Sequence, residues 1–455
     1  MIMKRLNLFE LSIVFILVFL SIQAKCAAQS KSTDNRRSNS SQLWKKVDEF
    51  CITIEDKVIS WRRDLHQNPE LGNREFRTSG IIAEHLKELG LEVQTGIAHT
   101  GVVGILKGKY DGPVVALRAD MDALPLKELV DLPFASKILT EYNGQTVPVM
   151  HACGHDAHVA MLLGTAEVLI HFRNELHGTV KFIFQPAEDS KPEGENGGAE
   201  LMIQEGVLEN PKVDAIFGLH VVPYPSSNIS YRAGGLFAAV DNFTIRVKGW
   251  QAHGALPWTG VDAITVSAQI ITSLQTIISR QIDLTSTPAV ITIGAISGGT
   301  QQNILSGEVT MKGTIRSFSA TSQKDIQGKI KQMASLIAEA SGAIADVSFI
   351  NGVPVVFNDN NLTGRMSITL NEVNSKSGIS ITPPITVGDD FSFYTQAIPG
   401  FYFLLGVAPE GADPNKIINH SPFFIIDESA LKTGVMALSH LAIDYLNKYG
   451  TPVNY

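Results

Sequence analysis

The chain has 455 residues, of which 44% are hydrophobic and 18% charged, and its formal net charge is -8. This length suggests two or three domains at roughly 150 residues each, and the composition is ordinary for a folded globular protein, which excludes general disorder. The mild acidity disfavours a nucleic-acid-binding protein, because such proteins usually present a basic face.

The N-terminal residues have the pattern of a secretory signal peptide. Lys4 and Arg5 precede an apolar run over residues 11–20, and small residues follow at Ala24 and Ala27. A basic start, a short apolar run and a small-residue exit are typical of an exported protein. A retained membrane anchor is the alternative, but the run is short for a bilayer span of about 20 residues.

We therefore predict a signal peptide over residues 1–28 and a flexible linker over residues 29–43, which is polar and has no apolar periodicity. The mature chain would be exported to a periplasm, to the outside of the cell or to a secretory lumen. No later stretch is long and apolar enough to cross a bilayer, so no stable membrane span is expected after cleavage.

Helical and strand patterns then alternate along the chain. Apolar residues at three- and four-residue spacings predict a helix from Trp44 and another over 78–89. Four continuous apolar runs have the pattern of strands buried on both faces. These strands are predicted over 102–106, 114–117, 181–184 and 215–219, with helices over 157–172 and 198–205. The alternation predicts an α/β domain with a mixed sheet and helices on both faces.

The middle of the chain has a different pattern. Strands are predicted over 243–247, 289–293, 309–315 and 345–350, and helices over 262–280 and 322–341. Their order, β-α-β-β-α-β, describes a self-contained unit with one helical face and one open sheet face. We therefore predict a smaller α+β domain over residues 236–350, inserted between two segments of the first domain at 44–235 and 351–455.

Ionisable residues stand just after three of the predicted strands. Asp120 and Asp122 follow one strand, Glu188 and Asp189 follow another, and His220 ends a third. In open α/β sheets, ligands bind beyond the carboxyl ends of the strands. The three strand ends therefore predict one shared site.

Cys153 and His155 are one residue apart, in a glycine-containing stretch before a predicted helix. Thiolate and imidazole are good ligands for a divalent transition metal, although a single Cys-x-His is weak evidence and a structural role is an equal alternative. Glu188 and Asp189 add two adjacent carboxylates whose side chains leave the strand on different sides. One can bind metal while the other accepts a proton from the attacking water and delivers it to a leaving amine.

Two further histidines extend this set. His220 could be an ordinary core residue, and His420, in a predicted loop, could be an ordinary surface residue. Together with Cys153, His155 and the two carboxylates, they form a set large enough for two metal ions roughly 3.5–4 Å apart. The residues alone therefore predict a two-metal hydrolytic site.

Five motifs occur in order along the chain: Arg118-Ala119-Asp120-Met121-Asp122-Ala123-Leu124-Pro125, His151-Ala152-Cys153-Gly154-His155-Asp156-Ala157-His158, Gln185-Pro186-Ala187-Glu188, the strand ending in His220, and His420-Ser421-Pro422. This series resembles the M20 metallopeptidase family, amidohydrolase subfamily D. The subfamily includes hippurate hydrolases, N-acyl-amino-acid amidohydrolases and hydrolases of auxin–amino-acid conjugates. The resemblance extends from about Val58 to the C-terminus, and the joint occurrence of the motifs makes it specific.

The resemblance implies metal-dependent hydrolysis of the amide bond of N-acylated amino acids or related conjugates. It implies two divalent metal ions, zinc or manganese, Glu188 as general acid/base, and Asp122 as a residue that orients the site. The metal ligands that it implies are Cys153, His155, Asp189, His220 and His420. With Cys153 as a ligand, Cys51 is expected to stay unpaired with it, and His151 and His158 are expected to be supporting residues.

The resemblance also assigns roles in the inserted domain. His253 would help to stabilise the oxyanion, and Asn303 and Arg316 would bind the substrate carboxylate, for which an arginine fork is well suited. Ordinary surface or sheet roles are the alternatives for all three residues. The inserted domain would be a lid and a dimerisation surface, so the resemblance implies a homodimer.

Two positions depart from the family pattern. Asp189 stands where glutamate is usual, and Gly388-Asp389-Asp390-Phe391 stands where the family has Gly-Ser-Glu-Asp-Phe. Both changes keep the charge but shorten a side chain, so the position or affinity of the second metal is open. A dipeptidase or carboxypeptidase of the same family is the alternative enzyme. A catalytically silent metal- or ligand-binding protein is the alternative outside enzymes, and the presence of Glu188 disfavours it.

Overall fold

The computed structural model describes residues 42–285, 287–374 and 378–449. The predicted signal peptide and the predicted linker up to residue 41 lie outside these residues. Residues 42–53 are helical and belong to a compact unit separate from the one that begins at Ile54. The helix predicted from Trp44 is therefore interrupted at Ile54, which lies in a turn.

The elements of the larger unit are numbered here in chain order. The helices are α1 (Glu55–Gln67), α2 (Phe76–Glu88), α3 (His155–His171), α4 (Gly198–Gln204), α5 (Ala263–Thr276), α6 (Ala320–Ala340), α7 (Asn360–Val373), α8 (Phe391–Ala397) and α9 (Ala430–Tyr449). The strands are β1 (Glu92–Ile97), β2 (Gly101–Lys107), β3 (Tyr110–Asp120), β4 (Leu139–Tyr142), β5 (Gln145–Pro148), β6 (His177–Gln185), β7 (Ala215–Pro225), β8 (Ile229–Tyr231), β9 (Gly234–Phe237), β10 (Ala239–Lys248), β11 (Ala289–Gly298), β12 (Glu308–Ser317), β13 (Ile344–Asn351), β14 (Val356–Asn358), β15 (Ile379–Ile381) and β16 (Gly400–Ala408).

The main sheet is mixed, with eight strands in the order β1-β2-β6-β3-β7-β16-β8-β15. Its four central strands, β6, β3, β7 and β16, run parallel to their neighbours within this group. The pairs β1-β2, β2-β6 and β16-β8 are antiparallel. Because the central strands share one direction, their carboxyl ends lie at the same edge of the sheet, where ligands bind in folds of this class.

Helices cover both faces of the main sheet, which confirms the predicted fold class. On one face α3 and α9 pack on β3, β6 and β7. On the other face α4 and α8 contribute Ala199, Met202 and Phe391 to an apolar cluster with strand residues such as Ile183 and Leu404. The central strands read as continuous apolar runs because both of their faces are buried.

One predicted strand end differs in the structure. His220 was expected to end its strand, whereas β7 continues through Pro225. The register explains the difference: β3 pairs with β7 only as far as Gly218, but β16 continues to pair beside His220 and the residues after it. His220 therefore lies inside β7, beyond the last residue that pairs with β3.

The middle of the chain folds as a second, smaller sheet. Its elements β10, α5, β11, β12, α6 and β13 follow the predicted order. The strands pair antiparallel in the order β11-β12-β10-β13, and α5 and α6 pack on one face. Phe243, Ile245, Ile270 and Ile330 lie in the apolar core between the helices and the sheet. The alternating strand patterns arise because the other face is open.

Several elements were not predicted from the sequence. They include the β4-β5 hairpin, β16 and the helices α7, α8 and α9. β16 is a buried, continuously apolar strand in the centre of the main sheet. Among the described residues, no helix has the length and the apolar character that a bilayer crossing requires.

Candidate metal centre and active site

The turn before α3 brings two donor side chains into the interior. Gly154 precedes the helix with φ 90°, and a Cβ atom at this position would lie 2.3 Å from Val221 Cγ2. Only glycine combines this left-handed conformation with such a close approach. The turn places Cys153 and His155 on either side of Gly154, and both side chains are buried.

The five predicted metal ligands lie together at the carboxyl edge of the main sheet. Cys153 Sγ lies 3.5 Å from His220 Nε2 and 3.2 Å from His420 Nε2. Asp189 Oδ1 lies 3.2 Å from His420 Nε2, and Asp189 Oδ2 lies 3.7 Å from His155 Nε2. The donor atoms of Cys153, His155 and His220 are all within 4.8 Å of one another, as are those of Cys153, Asp189 and His420.

Backbone contacts bring His420 to this cluster from a loop far along the chain. The His420 N–H donates to the Ala152 carbonyl at 2.8 Å. The side-chain amide of Asn419 donates to the carbonyls of Cys153, at 3.0 Å, and Val221, at 3.1 Å. Asn419 was not identified from the sequence. Its position in the chain next to His420 was the only available signal.

Hydrogen bonds determine which ring nitrogen of His155 and of His220 faces the cluster. His155 Nδ1 donates to the Asp122 carbonyl at 2.9 Å and to Asp122 Oδ1 at 3.1 Å. His220 Nδ1 donates to the Val221 carbonyl at 2.8 Å. In the neutral form of each ring Nε2 therefore carries the lone pair, as a metal-binding imidazole requires. Burial, together with His158, lowers the pKa of His220 to about 4, so its ring is neutral near pH 7.

The donor set fits divalent metal ions. His155 Nε2 and Asp189 Oδ2 are buried and have no hydrogen-bond partner among the described residues. Buried polar atoms of folded proteins are normally paired, so these two atoms point to a ligand between them. A thiol sulfur, imidazole nitrogens and carboxylate oxygens are the donors that zinc binds, and manganese accepts the oxygens.

Asp122 contacts two of the predicted ligands, the side chain of His155 and the backbone of Asp189. Besides accepting from His155, its Oδ2 accepts the backbone N–H of Asp189 at 3.0 Å. The buried Asp122 carboxylate thus orients the His155 imidazole and also the turn that carries Asp189. This is the contact pattern of a residue that holds metal ligands in place.

Glu188 lies beside the donor atoms and is surrounded by carboxylates. Its Oε2 is 3.8 Å from His155 Nε2, and its Oε1 accepts the Asp390 N–H at 3.3 Å. Burial and the charges of Asp389, Asp189 and Asp390 raise the pKa of Glu188 well above its ordinary value. A carboxyl group in these surroundings can hold a proton near neutral pH.

A buried network next to the cluster contains Asp120, which was predicted at the shared site, and His158, which was predicted as a supporting residue. Arg118 pairs with Asp120 at 2.5 Å and with Asp390 at 2.9 Å. Asp120 also accepts from His158 Nδ1, while His158 Nε2 accepts the Val221 N–H at 2.9 Å. Arg118 and Asp120 stand two residues apart on one strand, so their side chains share a face. Arg118 was not predicted as a site residue, and its spacing from Asp120 was the signal that could have identified it.

Residues 116–444 match the model of the peptidase family M20/M25/M40. The chain belongs to this family. The match confirms the resemblance seen in the motifs, and together with the donor cluster it makes the protein a metal-dependent amidohydrolase.

The chain is similar over most of its length to named hydrolytic enzymes and to a solved M20 structure. It is 40% identical to thermostable carboxypeptidase 2 of Saccharolobus solfataricus, covering 89% of this chain and 100% of that protein. It is 36% identical to N-acetyl-L-cysteine deacetylase of Bacillus subtilis, covering 83% and 86%. The crystal structure of the Bacillus subtilis YXEP protein, a dinuclear metal-binding peptidase of the M20 family, superposes with a TM-score of 0.73 at 34% identity, covering 87% and 99%.

The two departures from the M20 motif are accommodated differently. Asp390 accepts from Gln185 Nε2 at 2.7 Å and from the Ala199 N–H at 2.7 Å, and Asp389 accepts from the Tyr402 hydroxyl at 2.8 Å. The side chains of Asp389 and Asp390 are both buried, and both are hydrogen-bonded. Asp189 still reaches the cluster, where it lies between His155 and His420.

The three substrate-side residues predicted for this M20 chain lie in the smaller α+β part. His253 and Asn303 are exposed and stand on neighbouring loops, since the Gly254 N–H donates to the Asn303 carbonyl at 2.7 Å. Arg316 is half-buried on β12, between Val240 and Val290. Within the described part of the chain, no hydrogen bond or ion pair joins these three residues to the metal-ligand cluster, so their roles stay predictions.

Three further residues named from the sequence are Cys51, His158 and His151. Cys51 and Cys153 are both free and buried. His158 supports Asp120 as described above. His151 is buried, and neither of its ring nitrogens has a hydrogen-bond partner among the described residues.

Proposed function

We propose that this M20 amidohydrolase cleaves the amide bond of N-acylated amino acids or related amino-acid conjugates. The observation that carries the proposal is the convergence of Cys153, His155, Asp189, His220 and His420 beside the buried carboxyl of Glu188. The name of the Bacillus subtilis relative, a deacetylase of an N-acetylated amino acid, supports this substrate class.

In the proposed mechanism these five side chains hold two divalent cations, with Asp122 orienting His155 and Asp189. When bound, the cations polarise the scissile carbonyl and favour ionisation of the attacking water. Glu188 accepts the proton from that water and delivers it to the amine nitrogen as the C–N bond breaks. Glu188 is placed for both steps, because its Oε2 lies 3.8 Å from His155 Nε2, beside the donor atoms.

The exposed residues of the α+β part complete the proposal. His253 would donate a hydrogen bond to the developing oxyanion, and Asn303 and Arg316 would hold the substrate carboxylate. The α+β part would act as a lid that excludes bulk water, and a homodimer would form through it. Because His253 and Asn303 are exposed, substrate, lid closure or a partner subunit would shield them from solvent during the reaction.

Zinc or manganese would fill the proposed site. The Cys153 thiolate and the imidazoles favour zinc, whereas the Asp189 carboxylate tolerates manganese. We also propose that the mature chain is exported, on the strength of the N-terminal residue pattern. N-terminal sequencing of the protein from its native host should then begin near residue 29.

A carboxypeptidase is the second candidate function. It is favoured by the 40% identity to the protein named thermostable carboxypeptidase 2. A dipeptide or peptide substrate would present a free α-amino group or a longer chain on the acyl side, whereas an N-acetyl amino acid presents a small neutral acyl group. Substrate comparison therefore separates the two candidates.

The first experiment is a substrate panel with defined metals. The purified mature chain is stripped of metal, restored with zinc or with manganese, and assayed with N-acetyl amino acids, hippurate, dipeptides and a blocked peptide. We expect hydrolysis of the acylated amino acids with at least one metal and none without metal. Preference for peptides would favour the carboxypeptidase, and absence of turnover on every substrate would contradict both candidates.

The proposed proton carrier is tested by Glu188→Gln. The amide cannot accept and return the proton, so we expect kcat to fall at least about 100-fold, with metal content unchanged because Glu188 is not a proposed ligand. Glu193→Gln, an exposed glutamate of the same segment, is the matched control. Full activity in a metal-loaded Glu188→Gln variant would exclude the proposed mechanism.

A further inference from the structure

The turn that carries Glu188 and Asp189 has an unfavourable backbone conformation. β6 ends at Gln185, and Ala187 has φ 50°, in the left-handed region. This region is disfavoured for a residue with a Cβ atom. A non-glycine residue stays there only when its surroundings hold it. The direction in which Glu188 leaves the chain therefore depends on the contacts of this turn.

Two buried carboxylates hold the turn by accepting its backbone N–H groups. Asp122 accepts the Asp189 N–H at 3.0 Å, as described above. Glu75 accepts the Ala187 N–H through Oε1 at 2.9 Å. The second oxygen of Glu75 accepts from the Thr100 hydroxyl at 2.5 Å. Both oxygens of this fully buried carboxyl group are therefore engaged.

The chain segment around Glu75 lies directly against the turn. A Cβ atom on Gly72 would lie 1.8 Å from the Ser190 carbonyl oxygen and 3.1 Å from Ala187 Cα. Glu75 immediately precedes α2, but its side chain makes no capping hydrogen bond to that helix. The carboxylate is instead directed at the turn.

A buried carboxyl group at position 75 is an energetically unfavourable hydrogen-bond acceptor. Burial, together with the nearby Asp122 carboxylate, raises the pKa of Glu75 to about 8. Burying a carboxyl group opposes folding more than burying a neutral amide or hydroxyl. Buried groups that oppose folding concentrate where function requires a fixed geometry.

We propose that Glu75 is a positioning residue that orients the Glu188 carboxylate by holding the Ala187 turn. The inference rests on the proposed role of Glu188 in amide hydrolysis. Among the described residues, Glu75 forms no hydrogen bond or ion pair with the predicted metal ligands or with Glu188; its partners are Thr100 and the backbone of Ala187. Its influence on catalysis would therefore be exerted through the backbone of Ala187.

The test compares three variants at position 75 in the metal-loaded enzyme. Glu75→Leu removes both acceptors, and Glu75→Asp withdraws the carboxyl group from the Ala187 N–H while keeping the same functional group. For both we expect kcat to fall about 10- to 100-fold, the usual effect of losing a supporting residue, with KM and metal content close to wild type. Glu75→Gln keeps an oxygen for the Ala187 N–H and can donate to Thr100, so it should retain most of the activity.

Two controls make the result specific. Thr100→Val removes the other partner of Glu75 and leaves the Ala187 hydrogen bond in place, so its kcat should stay near wild type. In a Glu188→Gln background, Glu75→Asp should cause no further loss, because residues that act as a unit are not additive. If Glu75→Leu fails to fold, Glu75→Asp still gives the answer.

Three outcomes would overturn the inference: wild-type kcat in folded Glu75→Asp, loss of metal in parallel with loss of activity, or an additive loss in the Glu188→Gln background. None of them would contradict the proposed function, since the wild-type enzyme would still hydrolyse acylated amino acids. Failure of the proposed function appears separately, as a wild-type enzyme that turns over none of the substrates.

Discussion

The metal-ligand cluster and the substrate-side residues of the α+β part differ in how far their side chains are buried. At the edge of the main sheet, the imidazoles of His155 and His220 are buried, and a hydrogen bond through Nδ1 fixes each ring. In the α+β part, His253 and Asn303 are exposed on loops. The rings of the first region are shielded from solvent, whereas the residues of the second region lie at the surface, where a substrate can reach them.

The difference has a physical reason. Metal ligands must be held at fixed separations, because geometry decides which ion binds and how tightly. Residues that contact only the substrate must let it enter before they close on it. Removing a residue from the cluster should therefore change metal binding, and removing one from the α+β part should leave metal binding intact.

The largest expected effect is that of His155→Ala. Loss of a residue that merely supports a ligand lowers metal affinity by about 10- to 100-fold, so loss of the ligand itself should exceed that range and abolish activity. Metal affinity measured by calorimetry checks this, with exposed His99→Ala as the matched control. Retention of two metals in His155→Ala would remove it from the ligand set.

A smaller effect is expected from His253→Ala. The variant should keep its full metal content, because within the described residues no hydrogen bond or ion pair links His253 to the cluster. If His253 stabilises the oxyanion, kcat should fall about 100-fold, while KM changes little. Kinetics and metal analysis on the same preparation check both parts. Unchanged kcat would remove His253 from the mechanism, and loss of metal would break the contrast between the two regions.

The smallest effect concerns the pH dependence of the metal-stripped protein. Hydrogen bonding to Asp189 and Cys153 raises the pKa of His420 from 6.5 to about 10 in the folded chain. A raised folded-state pKa contributes stability that is fully present below pH 6.5 and is lost as pH rises through 10. The midpoint of thermal unfolding should therefore decrease across this window.

The decrease should be modest, because the His420 side chain is 54% exposed and its charge interactions are screened. His420→Asn should decrease less over the same pH range. Added metal should stabilise the wild type more at high pH, where protons compete less for His420. An identical pH slope in wild type and variant would contradict this account of His420.

The convergence of the donor side chains could be predicted from the sequence in part, because several of them stand in local patterns. Cys153 and His155 flank a glycine before a helix, and Glu188 and Asp189 follow a strand. The carboxyl ends of parallel strands meet at one edge of a sheet, so residues that are distant in the chain converge there. Local patterns also predicted the β-α-β-β-α-β order of the α+β part, because apolar and polar residues alternate along strands that are buried on one face.

The supporting residues could not be predicted in the same way. Glu75 precedes a helix in a sequence that has no strand end or metal-ligand spacing, and its role depends on Gly72 approaching Ser190 across the fold. Asn419 acts through carbonyls of Cys153 and Val221, which belong to other elements. Contacts of this kind leave no periodic trace in the sequence.

By itself, the sequence determined the alternation of helices and strands and the family to which the chain belongs, and it predicted which side chains would converge at one site. The tertiary structure alone decided that His220 lies inside β7 instead of at its end, because strand β16 extends its pairing. It also decided that Asp189, although one methylene shorter than the usual glutamate, reaches both His155 and His420. Local residue patterns specify chemistry and secondary structure, whereas distances between remote segments depend on how the whole chain packs.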